Sequence, residues 1–173
     1  MRNNRPVGAV GCVVRWRGKR YLTTAAHVVH GQGTEFDVHG LGPVGVVRVI
    51  EDRSADLALL DPHLDLPDTA CLLPDNTRIT GLSLAPAPGH AVLFRRGHRS
   101  ATQTTVDRIL DSPQLSHGPL ICTPIVTQRG DSGTILLDGN LRAVATLVGE
   151  RAWFDCFLPL SPLLKLLDLE LET

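Results

Sequence analysis

The sequence predicts an all-β fold, either a barrel or a sandwich, and three observations support this prediction. Short runs rich in β-branched and apolar residues recur along the chain, and Gly, Pro, Asn and Asp separate them at frequent intervals. Of the 173 residues, 43% are hydrophobic, which is enough to fill a sizeable core. One segment near the C-terminus starts like a helix. We therefore expect antiparallel strands joined by tight turns, with a single helix.

The first half of the chain contains five predicted strands. The runs 10–15 and 20–24 flank Trp16-Arg17-Gly18-Lys19, a pattern typical of a β-hairpin. Three further runs follow: Glu35–Val38, Val44–Ile50 and Leu57–Leu60. Several prolines then lie among polar residues up to Thr80, so we expect a connector that runs over the surface.

The second half begins near Gly81 and contains six predicted strands. They are Ala91–Arg95, Thr102–Ile109, Leu120–Val126, Thr134–Leu137, Arg142–Leu147 and Phe154–Leu158. A helix is predicted over residues 161–170, with Ser161 as the N-cap and Pro162 at the first helical position.

Overall charge does not select a partner class. Lys and Arg number 17 against 18 Asp and Glu, for a net charge of −1, so we expect neither a nucleic-acid nor a membrane partner. Basic side chains do cluster in two turns, and we interpret them as solvated loop charge rather than as a surface for an acidic or nucleic-acid partner. These clusters are Arg15, Arg17, Lys19 and Arg20, and Arg95, Arg96, His98 and Arg99.

The segment Gly130-Asp131-Ser132-Gly133 is the strongest functional signal. Such a turn can project the Ser132 hydroxyl while nearby backbone N–H groups converge on one point, as an acyl-transfer oxyanion requires. A serine hydroxyl needs a base, and the base needs an orienting carboxylate. His27 stands at the end of an apolar run and Asp56 at the start of another. Together they form a candidate nucleophile, base and orienting acid.

Each of these residues also has an ordinary structural explanation. Ser132 fits a hairpin turn, His27 a partly buried histidine with a satisfied hydrogen bond, and Asp56 a carboxylate at the start of a strand. The three in this order, with these neighbours, favour the catalytic interpretation.

The order His, Asp, Ser with these local motifs resembles the chymotrypsin/trypsin-like serine peptidases, and among them the compact bacterial and viral members. The resemblance extends from about Val7 to the C-terminus. It implies two six-stranded antiparallel β-barrels in one peptidase domain over residues 1–173. The first lobe would span about 7–61, the connector 62–80, the second lobe 81–160 and the C-terminal helix 161–170.

The resemblance further implies a serine endopeptidase with a polypeptide substrate. Ser132 would attack the peptide carbonyl, His27 would move the proton and Asp56 would orient the imidazole. The N–H groups of Gly130 and Ser132 would form the oxyanion hole. Two alternatives stay open: a catalytically silent homologue that binds peptides, and an esterase-like acyl transferase that uses the same nucleophile. A regulatory partner or a larger parent assembly is left undetermined.

Residues that bind substrate follow from the same resemblance. Val126 would form the base of the primary specificity pocket, and its lack of charge predicts an apolar residue before the scissile bond. The strand through Thr146, Leu147 and Val148 would pair with the substrate backbone. Thr146 stands where the family usually has a serine bonded to the catalytic aspartate, and Leu147 replaces a common tryptophan. A carboxylate at Glu150 or Asp155 could reach into the pocket and reverse the preference.

In members activated by proteolysis, the residue matching Asp131 pairs with a freed N-terminal amine. The segment before His27 is short, so we expect the site to form without trimming, with Asp131 paired to an internal arginine. The alternative is that Asp131 caps a local turn.

Four cysteines allow three pairings, so the sequence leaves disulfides open. These are Cys12, Cys71, Cys122 and Cys156. Secreted members commonly carry a cysteine directly after the catalytic histidine, whereas Val28 stands here, and we therefore expect reduced, buried thiols and a cytoplasmic protein. Neither a signal-peptide pattern nor an apolar stretch of membrane-spanning length is present. The histidines lack zinc-motif spacing with the cysteines, so we expect no metal and no cofactor.

Overall fold

The computed structural model describes residues 7–31, 33–52, 55–68, 78–84, 86–94, 102–110, 119–151 and 153–173. Within these ranges the chain forms thirteen strands and two short helices, so the all-β class is confirmed. The strands are β1 (Val13–Trp16), β2 (Lys19–Thr24), β3 (Glu35–Val38), β4 (Gly42–Asp52), β5 (Ala55–Pro62), β6 (Ala91–Phe94), β7 (Thr102–Thr105), β8 (Arg108–Leu110), β9 (Leu120–Pro124), β10 (Ile135–Leu137), β11 (Ala143–Arg151), β12 (Phe154–Pro159) and β13 (Glu170–Leu171). The helices are α1 (Ala26–Val29) and α2 (Leu160–Leu167).

The first sheet contains six antiparallel strands in the order β13-β1-β2-β5-β4-β3. Its first hairpin has Arg17 and Gly18 at its tip, with φ values of 51° and 79°. Two consecutive positive φ angles match the twist of antiparallel strands, which is why a two-residue loop suffices here. The edge strand β13 brings the C-terminal segment back onto β1, with Val14 opposite Leu171.

The second sheet contains seven strands, in the order β7-β6-β10-β11-β12-β9-β8, where we expected six. The single strand predicted over 102–109 is two strands. The N–H of Val106 donates to the His90 carbonyl at 3.0 Å, and the N–H of Asp107 donates to the Cys122 carbonyl at 2.9 Å. The chain therefore changes its partner strand between these two residues. Pairing among the described strands leaves both sheets open rather than closed into barrels.

The helix α2 begins at Leu160, earlier than predicted. Its N-cap is Pro159, so Ser161 is not the capping residue and Pro162 is the third helical residue. Strand β12 leads directly into the helix. The first helical residue, Leu160, is fully buried in a core cluster that contains residues of both sheets. Three more leucines share the buried face: Leu163, Leu164 and Leu167. Burial of this leucine face attaches the helix to the core.

Helix α1 was not predicted, because four residues are too few to show helical periodicity. Three of its residues are buried, and His27 is the exposed one. No helix among the described residues is long and apolar enough to cross a membrane.

After the connector, the chain joins the second sheet at residues 80–83. The N–H of Ser83 donates to the Ala143 carbonyl at 2.9 Å, and Leu82 forms a parallel bridge with Ala143. The central part of the connector, 69–77, and the second basic cluster, 95–99, lie outside the described residues.

Candidate active site

The carboxylate of Asp56 makes two hydrogen bonds to His27. Asp56 Oδ2 lies 2.6 Å from the imidazole Nδ1, and Asp56 Oδ1 accepts from the His27 main-chain N–H at 3.0 Å. A carboxylate only accepts, so we assign the ring proton to Nδ1, which leaves Nε2 as the basic nitrogen. One side chain therefore fixes both the helix that carries the histidine and the orientation of its ring.

Ser132 lies in a loop built around two glycines with positive φ, Gly130 at 97° and Gly133 at 95°. The Asp131 N–H donates to the Gln128 carbonyl at 3.0 Å, and the Gly133 N–H donates to the Leu147 carbonyl at 3.0 Å. By contrast, the N–H groups of Gly130 and Ser132 donate to no group among the described residues. They are the two donors that an oxyanion hole at this loop would use.

The Ser132 loop is packed against the strand that leads into α1. The N–H of Ala9 donates to the Ser132 carbonyl at 2.8 Å, and the Thr24 hydroxyl donates to the Ala9 carbonyl at 2.7 Å. A Cβ atom added to Gly133 would lie 2.4 Å from the Ala9 carbonyl oxygen and 3.0 Å from the main-chain nitrogen of Ala25. Only a glycine allows this approach of the backbones.

No hydrogen bond joins the Ser132 hydroxyl to His27, although both residues are among those described. Contacts between a nucleophile and its base are often long before substrate binds. The structure connects Asp56 and His27 directly, and it packs the Ser132 loop against residues that shortly precede His27.

A second histidine–carboxylate pair lies beside the first. His30 Nδ1 contacts Glu51 Oε2, and Glu51 stands directly opposite Asp56 in the β4–β5 pairing. The side chain of His30 is 72% exposed, compared with 39% for that of His27. This pair was not predicted, and its only signal in the sequence is a second histidine three residues after the first. It offers a matched control for the Asp56–His27 pair.

Asp131 is buried, and its Oδ2 accepts from the Gln128 N–H at 2.7 Å. This contact is the local turn cap that we gave as the alternative. A pairing with an internal arginine stays a prediction.

Two residues of the predicted substrate strand are hydrogen-bonded within the protein, and their role in substrate binding stays a prediction. Thr146 is buried and its hydroxyl donates to the Gly133 carbonyl at 3.3 Å, rather than to Asp56. Leu147 is buried in the second sheet's core, and its N–H donates to the Thr134 carbonyl at 2.9 Å. Strand β11 has neighbours on both sides as far as Leu147, so neither residue presents an open edge.

The open edge of β11 begins at Val148. Residues 148–151 run beside β12, and no described strand pairs with them on the other side. The β11–β12 register shifts between Leu147 and Gly149, which marks a bulge at this point. Val148 thus lies where β11 passes from the sheet interior to an edge.

Val126 is half-buried and packs against the same core cluster as Leu147. Of the two carboxylates named as alternatives, Glu150 is exposed, whereas Asp155 is fully buried and accepts a hydrogen bond from the Val126 N–H at 2.7 Å. The two carboxylates are direct partners on neighbouring strands. The sequence could not show which of them is buried.

Three cysteines are free and buried: Cys12, Cys122 and Cys156. Cys71 lies outside the described residues. The Sγ atoms of Cys122 and Cys156 are 3.7 Å apart, and burial, together with the neighbouring Cys156 thiol, raises the pKa of Cys122 to about 12. Among the described residues, no three His, Cys, Asp or Glu side chains form a group that could hold a metal ion.

Comparison with known proteins finds similarity at the level of structure. No family model matches the chain, and no curated protein matches it. A Nocardiopsis protease has a TM-score of 0.71 at 20% identity, with 95% of this chain and 92% of that chain covered. Cellulomonas bogoriensis chymotrypsin has a TM-score of 0.73 at 20% identity, with 99% of this chain and 93% of that chain covered. A glutamic-acid-specific serine protease has a TM-score of 0.75 at 16% identity, with 95% of this chain and 93% of that chain covered.

Proposed function

The chain has the fold of the bacterial chymotrypsin-like serine proteases, and from this fold and the geometry of the site we propose that it is a serine endopeptidase. The observation that carries the proposal is the double hydrogen bond of Asp56 to the ring and the main chain of His27. A histidine held in this way keeps its Nε2 lone pair available as a general base.

In the proposed mechanism, Nε2 of His27 takes the proton of Ser132 as the hydroxyl oxygen attacks the carbonyl carbon of the peptide. The N–H groups of Gly130 and Ser132 receive the negative charge of the tetrahedral oxygen. His27 then gives the proton to the leaving amine, and the acyl group stays on Ser132. Water, deprotonated by the same imidazole, attacks the ester carbonyl. The imidazolium then returns the proton to the Ser132 oxygen as the bond to the acyl group breaks and the acid is released. Asp56 stabilises the imidazolium in both steps.

We assign substrate binding to the open edge of β11 at residues 148–151. Unpaired N–H and C=O groups at a sheet edge can pair with an extended polypeptide. Val126 is the assigned base of the pocket for the side chain before the scissile bond, and its aliphatic side chain fits an uncharged, apolar residue there. This assignment moves the predicted binding strand along the chain, from Thr146 and Leu147 to Val148 and the residues after it.

A catalytically silent peptide-binding protein is the second candidate. The observation that favours it is the absence of a hydrogen bond between Ser132 and His27 among the described residues. Such a protein would keep the open edge of β11 but would not activate the hydroxyl.

Reaction with a fluorophosphonate probe, followed by peptide mapping in a mass spectrometer, distinguishes the two candidates. An endopeptidase should carry one adduct, on Ser132, and should lose it in Ser132→Ala and in His27→Ala. His30→Ala is the matched control and should react like the wild type, because His30 contacts Glu51 and not Asp56. An unlabelled wild-type protein, or an adduct on another serine, would refute the nucleophile assignment.

A further inference from the structure

Asp155 is a fully buried carboxylate that holds two consecutive residues. Its Oδ2 accepts from the N–H of Val126 at 2.7 Å and from the N–H of Thr127 at 2.9 Å. Its Oδ1 accepts from the Thr127 hydroxyl at 2.5 Å. All three donors belong to the short segment that follows β9.

A buried carboxylate is unfavourable unless hydrogen bonds or an opposite charge compensate it. The structure shows no ion pair to Asp155 among the described residues, so the three donors carry this compensation. Hydrogen bonds to an ionised acceptor are the stronger kind, and bonds from adjacent residues fix both position and orientation. The main chain at Val126 and Thr127 is thus tied to β12.

A second carboxylate continues this arrangement toward the nucleophile. The Gln128 N–H donates to Asp131 Oδ2 at 2.7 Å, and the Asp131 N–H returns to the Gln128 carbonyl at 3.0 Å. Segment 126–131 is therefore held at its first two residues by Asp155 and at its end by Asp131. Ser132 follows directly.

We propose that Asp155 is a positioning residue that fixes the base of the substrate pocket through Val126 and Thr127, and that it does not bind a cationic substrate side chain. This role rests on the proposed function, because the pocket is the one that would hold the side chain of a peptide substrate. A carboxylate has about four lone-pair directions, and three of those of Asp155 are filled. Its full burial gives a substrate ammonium or guanidinium group no access without displacing these bonds.

The test compares four substitutions with one control. Asp155→Asn keeps an oxygen that can accept the two N–H groups, and its amide can donate to the Thr127 hydroxyl. Asp155→Leu has similar volume and accepts nothing. Thr127→Val removes one hydroxyl, and Thr127→Ser restores it. Glu170→Gln is the control, because Glu170 is an exposed carboxylate on β13 of the other sheet.

For peptides with an apolar residue before the scissile bond, Asp155→Leu should lower kcat/KM by about 100-fold, mainly through KM, because the pocket base loses its position. Asp155→Asn should stay within about tenfold of the wild type, and Glu170→Gln should not differ from it. The kcat/KM of Thr127→Val should lie between those of Asp155→Leu and Asp155→Asn, and Thr127→Ser should restore the wild-type value. Fluorophosphonate labelling of Ser132 in Asp155→Asn and Thr127→Val should keep the wild-type rate, since the small probe does not need the pocket.

Amide hydrogen exchange gives a readout independent of activity. Exchange at Val126 and Thr127 should be at least about tenfold faster in Thr127→Val than in Glu170→Gln, which keeps the test decisive if Asp155→Leu does not fold. Unchanged exchange and unchanged KM in Thr127→Val would overturn the proposal. So would cleavage after Lys or Arg that Asp155→Asn abolishes, because that result assigns the carboxylate to recognition. A wild-type protein that neither labels nor cleaves would instead refute the proposed function, while the exchange measurement still tests the role of Asp155.

Discussion

The main-chain N–H of Ala9 donates a hydrogen bond to the main-chain carbonyl of Ser132, with 2.8 Å between nitrogen and oxygen. The Ala9 carbonyl in turn accepts from the Thr24 hydroxyl at 2.7 Å. Thr24 ends β2, just before the helix that carries His27. One peptide segment thus bridges the proposed nucleophile and the proposed base, although the two residues come from different halves of the chain.

Thr24→Val should weaken this bridge without changing the shape of the side chain. The Ala9 carbonyl would lose its hydroxyl partner, so the free energy of unfolding should fall by about 1–2 kcal/mol. Peptidase activity should fall about tenfold, because Ser132 is then held less exactly against the His27 segment. Thr24→Ser keeps the hydroxyl and should behave like the wild type in denaturant unfolding and in turnover. Equal stability of the valine and serine variants would show that the bond contributes nothing.

Gly133→Ala should be strongly disruptive. Its Cβ would lie 2.4 Å from the Ala9 carbonyl oxygen, and φ at this position is +95°. We expect the free energy of unfolding to fall by about 2–4 kcal/mol, since neither the backbone contact nor the dihedral suits alanine. Chemical denaturation measures this loss, and labelling of Ser132 reports the displacement of the loop.

Gly139→Ala is the matched control for that substitution. No atom lies within 4 Å of the Cβ that it would add, so its stability should stay within about 0.5 kcal/mol of the wild type. A comparable loss in both variants would mean that the close packing at Gly133 is not the cause.

Asp56→Asn should lower turnover on the order of 10⁴-fold, because the amide favours the wrong tautomer of the imidazole. Glu51→Gln removes a charge from the directly opposite residue, which contacts His30. It should lower turnover less than tenfold if the effect depends on the His27 bond rather than on local charge. Steady-state kinetics of the two variants with one peptide substrate decides this. Similar losses in both would contradict the role assigned to Asp56.

Cys122 should resist alkylation in the folded protein. Burial beside Cys156 raises its pKa from 9.0 to about 12, so at pH 9 the thiolate fraction is on the order of 10³-fold lower than in the unfolded chain. Iodoacetamide modification followed by peptide mapping, with and without urea, measures the difference. Rapid labelling of Cys122 in the native protein would contradict its burial.

The same shift has a consequence for stability with a defined sign. The raised pKa of Cys122 favours the folded state below pH 9, and this contribution is lost as the pH rises toward about 12. The free energy of unfolding should therefore fall more steeply between pH 9 and pH 11 in the wild type than in Cys122→Ala. Parallel slopes would show that this thiol is not linked to folding.

Features encoded by neighbouring residues could be predicted from the sequence. The hairpin at Arg17 and Gly18 follows from a short glycine-containing segment between two β-rich runs, and most strands follow from runs of apolar and β-branched side chains. The sequence also indicated His27, Asp56 and Ser132 as candidates, because the chemistry of each residue type is independent of the fold. The structure joins His27 to Asp56, and the catalytic roles of the three residues stay a prediction. The all-β class and the chymotrypsin-like fold were correctly predicted on this basis.

Only the tertiary structure decided which groups meet. An apolar pattern shows that Leu147 is buried, but it does not show that the Leu147 main chain bonds to Gly133 and Thr134 beside Ser132. The edge of β11 that begins at Val148 could therefore not be located from the sequence. The apolar pattern also shows where β12 ends, but it does not show that Leu160 enters the core and begins α2 there. It also gave no reason to prefer Asp155 to Glu150. Strand register, the change of partner strand after Val106 and the backbone contacts of Ser132 all join residues that are distant in sequence. Side-chain periodicity shows which face of a strand is buried, but it does not show which strand lies next to it.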